Sequence, residues 1–132
     1  MKAWGIGLVL GLAAGPAAAQ FATPTVCTGT MAFLVEDGGA GAYQLDLAFD
    51  GAAYTIRARN PDTDETTEDR GTCADYLTTG CRHGFPPAEG GEAGYYDFRL
   101  EARGAEGYFY TETWSDGFSG EAMLDCRPAE RP

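Results

Sequence analysis

The chain has 132 residues, of which 20 are acidic and nine are basic, so its formal net charge is −11. Such a charge excludes the usual binders of nucleic acids and anionic membranes, which bind through clusters of Lys and Arg. Hydrophobic residues make up 44% and aromatic residues 12% of the chain, too many for a disordered acidic tail. The length and composition therefore predict one folded domain.

Residues 1–19 are predicted to be a signal peptide. Lys2 precedes a short apolar run over residues 6–14, and Ala17-Ala18-Ala19 fits the small-residue rule for cleavage before Gln20. The run is shorter than the roughly 20 residues that cross a bilayer, so a membrane anchor is disfavoured. Cleavage would remove the only lysine and leave residues 20–132 with eight arginines and a net charge of −12. We therefore expect a single periplasmic or secreted domain with no membrane insertion after cleavage.

The four cysteines are expected to form two disulfides in an oxidising compartment. No pair has the Cys-x-x-Cys spacing and His83 is the only histidine, so neither a metal site nor a cofactor is predicted. We favour Cys27–Cys126 with Cys73–Cys81, because Cys27 and Cys126 lie on the apolar sides of the first and last predicted strands. The first link would join the chain ends, and the second would staple a glycine- and proline-rich segment.

Alternating apolar and polar residues predict short β-strands, with tight turns at Asp50-Gly51 and Asp116-Gly117. About six such strands and no helical period predict an all-β fold, a small antiparallel barrel or sandwich stapled by disulfides. The barrel is favoured because the terminal disulfide requires the first and last strands to be neighbours. The alternating positions are 27–35, 43–49, 54–58, 96–102, 108–114 and 122–126.

Residues 60–93 are predicted to be a long loop excursion, with room for a single helical turn near residues 74–77. An acidic run at its start places oxygen side chains at alternate positions, loosely like a calcium-binding loop. The glycine and the bidentate glutamate of an EF-hand are absent, so we predict a solvated polar loop without a metal. The alternating residues are Asp62, Asp64, Thr66 and Glu68.

No catalytic residue is predicted. His83 could act as a general base only if a carboxylate and a nucleophile converged on it, and neither Ser115 nor Ser119 lies in a nucleophile-elbow sequence. Carboxylates are frequent by composition alone, so they do not indicate a glycosidase. An enzyme is therefore the least favoured class of function.

The segment 108–114 has aromatic residues on both faces of one predicted strand. Tyr108, Tyr110 and Trp114 share a face with Glu112, and these four residues are the candidate binding residues. An outward orientation would present an aromatic stripe to a sugar or a protein. An inward orientation would bury more area, worth about 1.5–3 kcal/mol per large side chain, but it would bury Glu112 as well. We favour the inward orientation, with Glu112 paired to a charge such as Arg99 or Arg103, or placed at the barrel mouth.

These features favour a non-catalytic binding module for a protein or a glycan. In its plan, a small exported acidic barrel with its ends joined by a disulfide, the chain resembles the periplasmic lysozyme inhibitors. That resemblance implies an inhibitor of a basic secreted enzyme such as a lysozyme. It implies no role for any residue, because the inhibitory loop motif of those proteins aligns to no stretch of this chain.

Overall fold

A computed structural model describes residues 19–34, 40–87, 91 and 93–130. All eight strands of this part of the chain are antiparallel to their neighbours and form one nearly closed, barrel-like sheet in the order β4-β3-β2-β1-β8-β7-β6-β5. The strands are β1 Thr25–Leu34, β2 Ala40–Asp50, β3 Ala53–Arg59, β4 Thr66–Thr72, β5 Cys81–Gly84, β6 Tyr95–Ala102, β7 Tyr108–Trp114 and β8 Ser119–Pro128.

The alternating residues face the interior as predicted. Leu45, Leu47 and Phe49 of β2 are buried, while the residues between them are exposed. Strands β3, β6 and β8 repeat this pattern, because successive side chains of a strand point to opposite faces of the sheet. The tight turns are also confirmed, since Gly51 and Gly117 adopt positive φ values of 60° and 97° that glycine tolerates best.

The strand count differs from the sequence prediction, and the predicted loop excursion at 60–93 is wrong in part. Two of the eight strands, β4 and β5, lie inside it. Both are edge strands, and β4 carries no buried residue, so neither shows the apolar alternation that reveals a strand. No helical turn forms at 74–77; a hydrogen-bonded turn lies at residues 76–79, where the N–H groups of Thr78 and Gly80 donate to the Asp75 carbonyl. A single curved sheet also replaces the alternative of a sandwich.

The gap in the barrel lies between β4 and β5, which share no backbone pairing. Side chains cross this seam. Cys73–Cys81 joins the end of β4 to the start of β5, and a hydrogen bond of 2.7 Å links Tyr54 Oη on β3 to His83 Nδ1 on β5. The seam is therefore closed by a disulfide and by polar contacts instead of a β-ladder.

The second disulfide, Cys27–Cys126, confirms the predicted pairing of the chain ends. The two cysteines are direct partners across the β1–β8 ladder. The first and last strands are therefore neighbours, as the barrel prediction required. They lie in the middle of the sheet order, however, so the gap in the barrel is elsewhere.

One end of the barrel is plugged by aromatic side chains. Tyr76, which has no exposed surface, stacks on Phe49 with ring centroids 4.2 Å apart. Its hydroxyl donates to the Gly51 carbonyl at 2.7 Å and accepts from the Phe21 N–H at 3.1 Å. Phe21 also contacts Tyr108, with ring centroids 5.2 Å apart. We call this the closed end; the opposite end, where β3 and β7 finish and β6 begins, is the open end.

Part of the sequence prediction falls on residues that the structure does not describe. The predicted signal peptide lies there except for Ala19, and so does Val35 at the end of the first predicted strand. Within the described ranges, the chain has no helix of the length and apolarity needed to traverse a bilayer.

Candidate functional site at the open end of the barrel

The barrel interior opens into a cavity of about 280 Å³ at the open end. Its walls are inward-facing side chains of β1, β2, β3, β4, β6 and β7, together with residues of the turns that follow β5 and β7. The lining residues are Met31, Tyr43, Ile56, Ala58, Thr67, Asp69, Phe85, Tyr96, Glu112, Trp114, Asp116 and Phe118.

Wider depressions of about 390 and 450 Å³ lie on the outer face of the sheet. Outward-facing residues such as Thr111 and Thr113 contribute to both. We take the interior cavity as the candidate site, because it combines concave aromatic walls with converging polar groups, the usual features of a ligand pocket.

Stacked aromatic rings form one side of the cavity. Trp114 lies almost parallel to Tyr96, with ring centroids 4.6 Å apart and an interplanar angle of 8°, and it also stacks on Phe85 at 5.5 Å. Trp114 also meets Phe118 in a T-shaped contact, with ring centroids 5.8 Å apart. These rings are locked against one another, so the pocket wall is preformed.

Glu112 is the buried carboxylate of the cavity, with 5% of its surface exposed. It accepts hydrogen bonds from Tyr110 Oη at 2.6 Å and from Trp114 Nε1 at 2.5 Å. Burial raises the pKa of Glu112, the hydrogen bonds from Trp114 and Tyr110 oppose that rise, and the Asp69 charge adds to it. Both partners are neutral, so the expectation that Arg99 or Arg103 would pair with Glu112 is wrong. The alternative expectation, a place at the barrel mouth, is correct.

A second carboxylate, Asp69, faces the cavity from the edge strand β4. Its Oδ2 accepts a hydrogen bond of 2.8 Å from Tyr96 Oη on β6, and this bond crosses the seam. Burial raises the pKa of the Tyr96 hydroxyl, and the hydrogen bond to Asp69 raises it further. Tyr96 is therefore a neutral donor at physiological pH. Asp69 and Glu112 both contribute negative charge to one small space.

His83 links the seam and does not form a catalytic constellation with the described residues around it. Its Nδ1 is hydrogen-bonded to Tyr54, and its Nε2 lies 3.9 Å from Asp69 Oδ1. Burial raises the pKa of the Tyr54 hydroxyl, which makes that group a poor nucleophile. Ser115 is on an exposed turn, where its hydroxyl accepts from the Tyr95 N–H at 3.2 Å. The arrangement around His83 can hold two strands together, but it lacks an activated nucleophile.

Only the first part of the acidic run, residues 61–65, forms the turn between β3 and β4 at the open end; Thr66 and Glu68 lie in β4, so the prediction of a loop is wrong for them. Residues 61–65 are exposed, and backbone hydrogen bonds between Asn60 and both Asp64 and Glu65 hold the turn in place. The carboxylate of Asp64 pairs with Arg59 at 3.1 Å, and that of Glu68 pairs with Arg57 at 2.7 Å and with Arg70 at 2.6 Å. Across the ranges that the structure describes, no three His, Cys, Asp or Glu side chains are arranged to hold a metal ion.

The four candidate binding residues do not lie at one place. Their inward orientation is confirmed: Tyr110 is fully buried and Glu112 nearly so. Glu112 and Trp114 line the cavity, and Tyr110 lies behind Glu112. Tyr108 lies at the closed end against Phe21, because strand β7 runs the length of the barrel. These four residues therefore do not form an exposed aromatic stripe.

Sequence reasoning missed the residues that other elements bring to the cavity. Phe85 and Phe118 come from turns, Tyr43 comes from β2, and Asp69 comes from a strand that was predicted as loop. One signal was present in the sequence. In an antiparallel barrel every second connection lies at the same end. The connections β3–β4, β5–β6 and β7–β8 therefore had to meet near Trp114.

Comparison with known proteins adds no family: no protein-family model matches the chain, and neither the curated proteins nor the solved structures contain a match.

Proposed function

We propose that the protein is an exported, non-catalytic binding module for a protein or a glycan and that its ligand binds at the open end of the barrel. The observation that carries this proposal is the cavity of about 280 Å³ with stacked aromatic walls and a buried carboxylate. Trp and Tyr are the side chains most often used as anchors in binding sites, and a preformed cavity lowers the entropy lost on binding.

The disulfides support the exported location in this proposal. Two disulfides in one small domain are typical of proteins from oxidising compartments, and the described chain has no free cysteine. Together with the predicted signal peptide at 1–19, they favour a periplasmic or secreted location. A binding module there would meet secreted proteins and glycans.

The test is a ligand screen with a variant that fills the cavity without removing a core contact. Thr67 is exposed on β4 and lines the opening, so Thr67→Tyr would place a ring in it. Thr72→Tyr adds the same ring to the same strand on its outward face, beside the closed end. Residues 20–132 and both variants would be applied to a glycan array and to a panel of basic secreted proteins.

We expect that any ligand of the native domain binds at least about tenfold more weakly to Thr67→Tyr, a loss of roughly 1.4 kcal/mol, and equally well to Thr72→Tyr. A ligand that binds all three proteins equally would place the binding site elsewhere. Turnover of any ligand by the native domain would overturn the non-catalytic assignment.

A second candidate is an inhibitor of a basic secreted enzyme such as a lysozyme. The charge distribution favours it, because residues 20–132 carry a net charge of −12 and the turn at the open end carries the exposed carboxylates of Asp62, Asp64 and Glu65. Opposite charges steer partners together and raise association rates. Inhibition of a cationic lysozyme by the native domain and by Thr72→Tyr, but not by Thr67→Tyr, would favour this candidate.

A further inference from the structure

The charges that line the cavity are all of one sign. Asp69, Glu112 and Asp116 contribute three carboxylates, and no arginine is among the described residues of the lining. Arg59, at the end of β3 beside the opening, is paired with Asp64. The turn at 61–65 adds further exposed carboxylates at the same end. The low-dielectric walls of a cleft concentrate such a field, so a positive group is drawn towards it.

Glu112 has unused capacity to accept hydrogen bonds. A carboxylate offers about four acceptor positions, and Tyr110 and Trp114 donate one hydrogen bond each. Neither donor carries a charge, whereas buried carboxylates in proteins are usually paired with a cation. The side chain also faces the cavity. A cation in the cavity would supply the missing counter-charge.

The aromatic walls favour the same type of ligand. Trp114 stands between Tyr96 and Phe118, with Phe85 stacked beside it and Tyr43 on the facing strand β2. The face of an aromatic ring attracts a cation within about 6 Å, and Trp is the strongest of these rings. Aromatic groups that surround a positively charged nitrogen are a general means of recognising ammonium groups.

The size of the cavity limits the ligand to a small group. Pockets that enclose a whole drug-sized molecule occupy roughly 300–1,000 Å³, and this cavity, at about 280 Å³, lies just below that range. An ammonium head group or the end of a long basic side chain fits within it. A neutral sugar could stack on Trp114, but it would leave the carboxylates without a counter-charge.

We propose that the cavity binds an organic cation, an ammonium or guanidinium group, which stacks against the ring of Trp114 and pairs with the Glu112 and Asp69 carboxylates. This inference rests on the proposed function, because it specifies the ligand chemistry of the same site. The cation can belong to a small free molecule or to a Lys or Arg side chain of a basic protein.

The test compares two probes of the same shape. Choline and 3,3-dimethylbutan-1-ol differ in that a positively charged nitrogen in the first replaces a carbon in the second. The fluorescence of Trp114, the only tryptophan in residues 20–132, reports occupancy of the cavity. Two further probes, the amides of N-acetyl-lysine and N-acetyl-arginine, represent basic side chains, and methyl glucoside represents a neutral sugar.

We expect choline or one of the basic side-chain probes to bind at least about tenfold more tightly than 3,3-dimethylbutan-1-ol. Tighter binding of choline would identify a small free cation as the source, and tighter binding of the amides would identify a protein side chain. Glu112→Gln should weaken cation binding by at least about tenfold and leave the neutral probe unaffected. Glu106→Gln makes the same charge change at the closed end and should alter neither probe.

Asp116→Asn provides a second variant that removes a carboxylate without changing the packed core, because Asp116 is exposed on a turn. It should weaken cation binding by a few fold. Equal binding of choline and its neutral isostere, or binding of methyl glucoside alone, would overturn the cation inference and leave the binding site in place. If no probe changes the Trp114 emission and Thr67→Tyr alters no binding partner, both this inference and the proposed function are wrong.

Discussion

Glu112 is the residue whose burial has the clearest consequence for stability. Because its pKa is raised by burial, the native state holds the Glu112 proton to a higher pH than the unfolded chain does. Its effect on the free energy of unfolding is therefore most favourable at low pH. That stabilisation is lost as the pH rises from the ordinary pKa of a glutamate through the raised value.

Glu112→Gln should remove this pH dependence. The amide resembles the protonated carboxyl group, with one acceptor and one donor near Tyr110 and Trp114, but it does not ionise. We expect the variant and the native domain to have similar free energies of unfolding near pH 3. The variant should become the more stable of the two as the pH rises, as measured by urea unfolding.

The exposed ion pairs contribute equally to both proteins, so they cancel in the difference between the two free energies of unfolding. The pKa of Glu68, Asp97 and Glu101 is lowered, chiefly by hydrogen bonds from Arg57, Arg82 and Arg103 respectively. Their contribution has the opposite sign, since it is present above the ordinary pKa and is lost in acid. These residues are unchanged in both proteins. A difference that does not change with pH would contradict the burial of an ionisable Glu112.

Gly71 is required by the path of a neighbouring side chain. Tyr54 crosses beneath this residue of β4 to reach His83, and a Cβ atom at position 71 would overlap its hydroxyl and lie 2.6 Å from its Cζ. Gly71→Ala should therefore displace Tyr54 and cost about 1–3 kcal/mol, the usual effect of overpacking a core.

The matched control for this substitution is Gly84→Ala on the other edge strand, where a Cβ would meet no atom within 4 Å. Its free energy of unfolding should stay within about 0.5 kcal/mol of the native value. Equal stabilities of the two variants in urea would show that Tyr54 does not need the space at Gly71.

At the scale of the elements, the two disulfides should stabilise in different ways. Cys73–Cys81 closes a short loop, worth roughly 2.5 kcal/mol in the entropy model, and it joins strands that have no ladder between them. Cys27–Cys126 closes a loop with a sequence separation of 99, worth about 4.7 kcal/mol in the same model, across strands that are already paired.

Paired Cys→Ala variants should separate the two effects. Loss of Cys73–Cys81 should raise amide hydrogen exchange selectively in β4 and β5, because the seam opens locally. Loss of Cys27–Cys126 should lower the melting temperature more and raise exchange throughout the sheet. If loss of Cys73–Cys81 does not raise amide exchange in β4 and β5 above that of the other strands, the disulfide is not needed to close the seam. The contacts that hold it would then be those of Tyr54, His83, Asp69 and Tyr96.

The elements also show why the sequence predicts some strands and not others. Strands β2 and β6 bury aliphatic or aromatic residues at every second position, so their period is visible. The inward positions of β4 are Thr67, Asp69 and Gly71, which serve the cavity and the passage of Tyr54 and not an apolar core. A strand whose inner face is built for a site loses the hydrophobic alternation by which it would be recognised.

At the scale of the whole molecule, the fold separates stability from binding. The closed end holds Tyr76, Phe21 and both disulfides, whereas the open end holds the charged cavity. The sequence predicts the all-β class, both disulfides and the inward face of β7. It does not predict the cavity, because that site depends on which turns meet at one end, and turns carry no periodic signal.

Phe21 lies two residues after the predicted cleavage site, so the place of cleavage decides whether the processed chain keeps this side chain. Its ring packs against Phe49, Tyr76 and Tyr108 at the closed end, and its N–H donates to Tyr76. Cleavage after Ala19 keeps these contacts and gives up one hydrogen bond, in which the Leu77 N–H donates to the Ala19 carbonyl at the barrel end. A cut after Phe21 would remove its ring from the plug.

Intact-mass analysis of exported protein should therefore show a chain that begins at Gln20. In that chain, Phe21→Ala should lower the free energy of unfolding by about 1–2 kcal/mol, part of the value of fully burying a large apolar side chain, because Phe21 is partly buried. Thr23→Ala, at an exposed position two residues later, should change it by less than about 0.5 kcal/mol. Exported protein that retains residues 1–19 would refute the signal peptide. A Phe21→Ala variant as stable as Thr23→Ala would instead show that the closed end does not depend on Phe21.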